Sequence, residues 1–217
     1  MRATGHCAHQ LPLVAAGIAA QEHVGSCTGR GDPVAYDDIL QLFRAADISV
    51  VPTALYWDMT ARVSRDGGIA PDRGLDPWEP ITGVDWMMEL TPEERAWWER
   101  SAATARGMAG RLHRAGIRVG AGTDVWQVPW GVHLELEELV SAGLTPLEAI
   151  HAATGASAEI LGADGELGTI EVGKWADLVI LDADPLADIR NTGRIHAVVK
   201  GGEIVDRAAI RELARRK

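Results

Sequence analysis

Short β-branched runs alternate with longer stretches of helical spacing through most of this chain, and that alternation narrows the fold more than any other feature. Alternation of this kind builds βα units around a parallel sheet, which places chemistry at the C-terminal ends of its strands. Short strands are expected over residues 1–5, leading to His6, and over residues 20–22, leading to His23. Residues 48–54, with Val50, Val51 and Thr53, form the clearest strand of the first half, and residues 117–122 deliver Asp124 to the end of another. Helices are expected over residues 11–20, 35–46, 91–115, 133–142 and 149–153. Two of these open on capping boxes, Thr91-Pro92-Glu93-Glu94 and Thr145-Pro146-Leu147-Glu148.

Between residues 56 and 90 the pattern gives way to Gly, Pro, Asp and Trp, and a functional loop is expected there. Trp57, Trp78, Trp86 and Trp126 lie in stretches that read as loops, where aromatic rings wall a cleft. After Gly162 the texture changes to short strands at 166–172, 177–182, 197–201 and 203–206, with Gly201-Gly202 as a two-residue hairpin turn and a basic amphipathic tail at 211–217. Two domains are therefore expected, 1–162 and 163–217.

The net charge of −10 over 217 residues argues against nucleic acid or an anionic membrane surface as partner. No apolar run approaches the roughly 20 residues needed to cross a bilayer. The chain reads as soluble and, as written, cytoplasmic, with any export signal expected upstream of Met1. Cys7 and Cys27 do not form a CxxC pair and read as small buried residues.

His6, His23 and Asp124 stand out because each ends a candidate strand. Side chains just past different strands of a parallel barrel converge on one mouth, and two imidazoles with a carboxylate make a partial divalent-metal site that activates water. His113, His151 and His196 lie on helical or sheet patterns and read as packing or solvated residues. Tyr56, Trp57, Trp126 and Trp130 flank the expected mouth, and Arg30, in Thr28-Gly29-Arg30-Gly31, suits a substrate carboxylate.

An ordered set of motifs resembles the amidohydrolase superfamily, in its imidazolonepropionase-like and Xaa-Pro dipeptidase-like members. Gly5-His6-Cys7-Ala8-His9, Glu22-His23 and Gly120-Ala121-Gly122-Thr123-Asp124 are similar to the ends of that family's fifth, sixth and eighth strands. His133-Leu134-Glu135-Leu136-Glu137, Ala142 to Ala149 and Leu167 to Val179 resemble the helices and sandwich segment that follow. The resemblance implies an α/β fold: strands 5–8 of a TIM-type (β/α)8 barrel with their helices, plus a small C-terminal β-sandwich portion. It implies His6 and His23 as metal ligands, with His9 as a competitor to His6, and Asp124 as ligand and proton shuttle. His23 instead contacts the reacting group in mononuclear members, and His133 lies near the cleft. The implied cofactor is zinc or a similar divalent metal, one or two ions. The implied reaction is hydrolysis of a carbon–nitrogen bond in an amide, cyclic amide or dipeptide by metal-activated water, with deamination as the alternative inside the enzyme class.

The family's first four strands and their ligands are expected to be missing from the sequence as written, and a truncation is the expected reason, since Met1 falls inside an ordinary-looking strand. The expectation is a fragment that is inactive alone. The rival reading is a non-catalytic half-barrel that forms a homo-oligomer or pairs with a complementary N-terminal half.

Overall fold

The structure is a computed structural model that describes residues 4–6, 18–23, 37–66, 84–125 and 130–215. Strands β1 (Thr4–His6), β2 (Ala20–Glu22) and β3 (Ser49–Val51) lie side by side in sequence order, all parallel. His6 pairs with Glu22 and Glu22 with Val51, so the three C-terminal ends are level. The strand expected at 117–122 is reduced to one parallel bridge, Val50 to Val119. Val50 N–H donates to the Arg118 carbonyl and Gly120 N–H to the Val50 carbonyl, each at 2.9 Å. The packing here is close: a Cβ at Gly120 would stand 2.7 Å from Ile160 Cδ1, and one at Gly122 2.6 Å from Val51 Cγ1, so either would force a neighbouring side chain to shift.

Helices α1 (Asp37–Ala45), α2 (Ala54–Asp66), α3 (Asp85–Met88), α4 (Pro92–Arg114) and α5 (Gly131–Ser141) pack on and beside this sheet. They are followed by α6 (Pro146–His151), a π-helical turn (Ala152–Ala156) and α7 (Ser157–Leu161), one continuous run longer than the helix expected at 149–153. The π turn serves the sheet, since the Ala152 carbonyl accepts from Ala121 N–H at 3.1 Å and from the Ser157 hydroxyl at 2.6 Å. Both expected capping boxes form, and α4 ends at Gly116 with φ +74°.

Residues 56–90 are not one loop. Their described parts are α2 and α3, so Tyr56 and Trp57 stand in the first turn of a helix and Trp86 lies on α3. Leu55, Met59 and Val63, four residues apart and at most 2% exposed, form the buried stripe that winds α2. The intervening Tyr56, Trp57, Asp58 and Arg62 hide that period. Trp78 lies outside the described residues, as do residues 11–17 of the helix expected at 11–20.

The core has two centres. Phe43, Ile48, Val50, Leu112, Ile117, Val119, Leu136 and Leu139 pack between the sheet and α1, α4 and α5. Leu55, Met59, Val63, Met87, Val125, Trp130 and Leu134 form the second, beneath α2. Trp130 is therefore a core residue.

In the C-terminal part, β4 (Leu178–Leu181), β5 (Ile195–Lys200) and β6 (Glu203–Ile204) make an antiparallel sheet in that order. The expected Gly201-Gly202 turn joins β5 to β6, with φ +60° and +87°. Helix α8 (Arg207–Arg215) starts earlier than the expected tail. A 3₁₀ turn (Ile189–Gly193) between β4 and β5 returns to the main core through Ile189. The strand expected at 166–172 does not form. A left-handed glycine interrupts it, Gly168 at φ +91°, another follows it, Gly173 at +96°, and Trp175 N–H closes back on the Glu166 carbonyl at 2.9 Å. Ile170 and Val172 consequently stand in solvent, 87% and 108% exposed. Among the described residues no helix is long and apolar enough to cross a membrane.

Candidate active site

Three residues with side chains meet just past the ends of adjacent strands in backbone conformations that side chains disfavour. His23 follows β2 at φ +66°, Thr53 follows β3 at +50° and Asp124 follows the Val119 bridge at +50°. Each left-handed residue costs roughly 1–2 kcal/mol, and a β-branched threonine is a true outlier there. Strain of this kind persists only where the surroundings over-determine it, and it gathers at functional sites. Here the surroundings are visible. His23 N–H is tied to the Val51 carbonyl at 2.8 Å, and the residues flanking Thr53 and Asp124, Leu55 and Val125, are anchored in the second core.

The side chains then converge. His23 is 8% exposed, with Nδ1 2.6 Å from Thr53 Oγ1 and Nε2 3.7 Å from Asp124 Oδ2. Thr53 has one hydroxyl proton, and it goes to the carbonyl of the fully buried Pro52 at 2.7 Å. With that proton turned to Pro52, Thr53 Oγ1 is an acceptor toward Nδ1, an arrangement that suits the tautomer whose Nε2 lone pair faces Asp124. Usual bond lengths to zinc are about 2.1 Å from nitrogen and from oxygen, and together they span more than the 3.7 Å separating these donors, so one ion reaches both. A nitrogen lone pair facing a carboxylate oxygen is a donor set that fits a divalent metal. No group of three or more His, Cys, Asp or Glu forms a metal cluster among the described residues. His6 ends β1 level with Glu22, the residue before His23, and its side chain lies outside the described part, as do His9, Arg30 and Trp126.

Around this pair the surroundings are aromatic and acidic. Burial, reinforced by the charge of Asp124, raises the Tyr56 phenol pKa, which keeps its proton in place as a donor. The Tyr56 ring meets Trp57 and Trp98 at centroid distances of 5.7 and 5.8 Å, and Trp57 meets Trp97 at 6.0 Å. These rings pack on one another between α2 and α4. His133 is bound to the 3₁₀ turn, its Nδ1 3.2 Å from Thr192 Oγ1, and burial lowers its pKa. His113 pairs with Glu148 and His196 with Asp182, in keeping with their expected surface roles.

Sequence reasoning missed Glu135 and Thr53. Glu135 is completely buried on α5, where its Oε1 and Oε2 accept the backbone N–H groups of Ala54 and Leu55 at 3.1 and 2.7 Å. Burial, only partly offset by these two bonds, pushes its carboxyl up to about 8. The signal was a glutamate between Leu134 and Leu136, on a face too apolar for an unpaired charge. One turn on, Glu138 joins Asp58, Arg62 and Arg106 in a network tying α2, α4 and α5 together, with Arg106 Nε 2.7 Å from Glu138 and Nη2 3.0 Å from Asp58.

A model of the amidohydrolase family matches residues 3–205. Imidazolonepropionase from Symbiobacterium thermophilum is 35% identical over 114 residues, 48% of this chain and 26% of that protein. A solved Bifidobacterium longum structure described as a candidate prolidase is 30% identical, covers 98% of this chain and 50% of its own, and has a TM-score of 0.68. A Xaa-Pro dipeptidase structure with bound methionine shares the fold at a TM-score of 0.70 and 22% identity, covering 94% of this chain and 45% of its own. The chain thus spans half or less of the length of these relatives.

Proposed function

The chain belongs to the amidohydrolase family, and from that premise we propose that it supplies the later strands of a metal-dependent barrel that hydrolyses a carbon–nitrogen bond in a small amide, cyclic amide or dipeptide. The parallel β1-β2-β3 order with the Val119 bridge supports a partial barrel over 1–162, with 163–217 as a share of a β-sandwich. The observation that carries the reading is the approach of His23 Nε2, past the end of β2, to Asp124 Oδ2, past the Val119 bridge on the far side of β3, with Nδ1 engaged by Thr53 Oγ1.

His6, His23 and Asp124 would hold a divalent ion such as zinc, which when bound supplies Lewis acidity toward a carbonyl and acidifies water. Asp124 takes the proton of the attacking water and passes it to the leaving nitrogen. Its side chain is 47% exposed, so both water and substrate reach it. Tyr56 offers its phenolic O–H to the substrate carbonyl, Arg30 meets a carboxylate, and Trp126 and His133 complete the substrate side. The family's preceding strands, carried by a longer form of this chain or by a partner chain, complete the barrel. Ile170, Val172, Trp175 and Ile204, each at least 61% exposed, are apolar surface for such a completing part on the small sheet's side.

The test joins this chain to the family's preceding strands and measures metal content with amide and dipeptide turnover. Asp124→Asn should lower kcat by about 10²- to 10⁴-fold. Unchanged turnover would remove Asp124 from the chemistry.

A further inference from the structure

Among the described residues three threonines stand immediately before helices, and one does not cap its own helix. Thr91 and Thr145 adopt extended backbone, φ −63° and −69°, and each accepts the backbone N–H three residues on with its own hydroxyl. Thr53, before α2, stands at φ +50° with its hydroxyl turned the other way, to Pro52 and His23. At the start of α2 the Tyr56 N–H, three residues on, goes to the Thr53 carbonyl at 3.1 Å, and the N–H groups of Ala54 and Leu55 go to Glu135, which reaches across from α5 with one oxygen for each. A buried helix start without such acceptors would leave orphan donors, the strongest local reason for Thr53 to swing back.

We infer that Glu135 is a positioning residue: by capping α2 in place of Thr53, it frees the Thr53 hydroxyl to hold His23 with its proton on Nδ1 and its Nε2 facing Asp124. The chain of contacts is continuous, from the carboxyl group of Glu135 through the α2 amides and the strained Thr53 backbone to the imidazole. A carboxyl group buried this completely is otherwise costly, and the two N–H bonds at the start of α2 offset part of that cost. The inference concerns only the ring's proton and orientation, so it stands or falls separately from the reaction proposed above.

The experiment uses the whole chain with ¹⁵N-labelled histidine and reads the His23 ring by long-range proton–nitrogen correlation, without metal, at a pH where the ring is neutral. In the unsubstituted chain the Nδ1–H form should dominate. Thr53→Val removes the acceptor and should move the ratio of the two tautomers toward Nε2–H by about fivefold, the worth of one net hydrogen bond, while Thr53→Ser should restore it. Glu135→Ala should reproduce the Thr53→Val spectrum although it touches neither Thr53 nor His23. Should Glu135→Ala fail to fold, Glu135→Gln carries the test: it fills the same space but accepts from only one amide at its single carbonyl oxygen, so a mixture of tautomers is expected. A His23 ring that is Nε2–H in the unsubstituted chain, or that stays Nδ1–H in a folded Glu135 variant, overturns the inference.

Discussion

Replacing Glu135 by glutamine should change how stability depends on pH, and the structure sets both size and sign. In the folded chain burial raises the Glu135 carboxyl from its ordinary 4.5 to about 8. Below pH 4.5 the group is protonated whether the chain is folded or not, and its burial carries no charge penalty. Between 4.5 and 8 the unfolded chain releases this proton while the folded chain keeps it, so stability falls as pH rises, by about 1.4 kcal/mol per pH unit. Above 8 both forms are ionised and the loss levels off, on the order of 5 kcal/mol in all. Glutamine has no proton to release, but it turns an amide donor toward the Leu55 or Ala54 N–H, a constant cost of about 1–3 kcal/mol. Glu135→Gln should therefore be the less stable protein near pH 5 and the more stable one near pH 8. Urea unfolding of the two proteins at matched pH values reads the difference, in which the other carboxylates cancel. Parallel curves, or a variant that loses ground as pH rises, would refute the assignment of a buried, proton-retaining Glu135.

Gly110→Ala should destabilise the fold by about 3 kcal/mol in urea unfolding, because the new Cβ would stand 2.0 Å from the Ala142 carbonyl oxygen where α4 crosses the end of α5. Arg106→Met should cost about 3 kcal/mol near neutral pH by leaving Asp58 and Glu138 with Arg62 alone. Burial, and then the neighbouring Asp58, raise the Glu138 pKa, so that cost should shrink in unfolding curves taken at lower pH, as the carboxyl takes up a proton. Size-exclusion chromatography of the chain alone should show association through its exposed apolar side chains, and Ile170→Lys with Val172→Lys should shift it toward the monomer.

Much of the fold was legible because local signals were strong. The capping boxes at Thr91 and Thr145, the glycine stop at Gly116 and the Gly201-Gly202 hairpin are short-range chemistry, and they form as read. Helix α2 was not legible, since Asp58, Arg62 and two aromatic residues interrupt the eye, and only burial reveals the Leu55, Met59 and Val63 stripe. Residues 166–172 failed for the opposite reason: β-branched residues make a strand only beside another strand, and the described part of this chain offers none there. At the site, His23 and Asp124 were found because strand ends of a parallel sheet converge. Thr53 and Glu135 were not, because their importance lies in a left-handed backbone and in a contact across 80 residues of sequence, which no local pattern carries.

The central claim is that His23 and Asp124 face one another as donors to a shared divalent ion. Titration of the chain with Co²⁺, followed by visible absorption, tests it most directly. The account predicts a saturable ligand-field band that His23→Ala and Asp124→Ala each abolish and that His196→Ala, a surface histidine on β5, leaves intact. A band that survives both site substitutions, or disappears with His196, would contradict it.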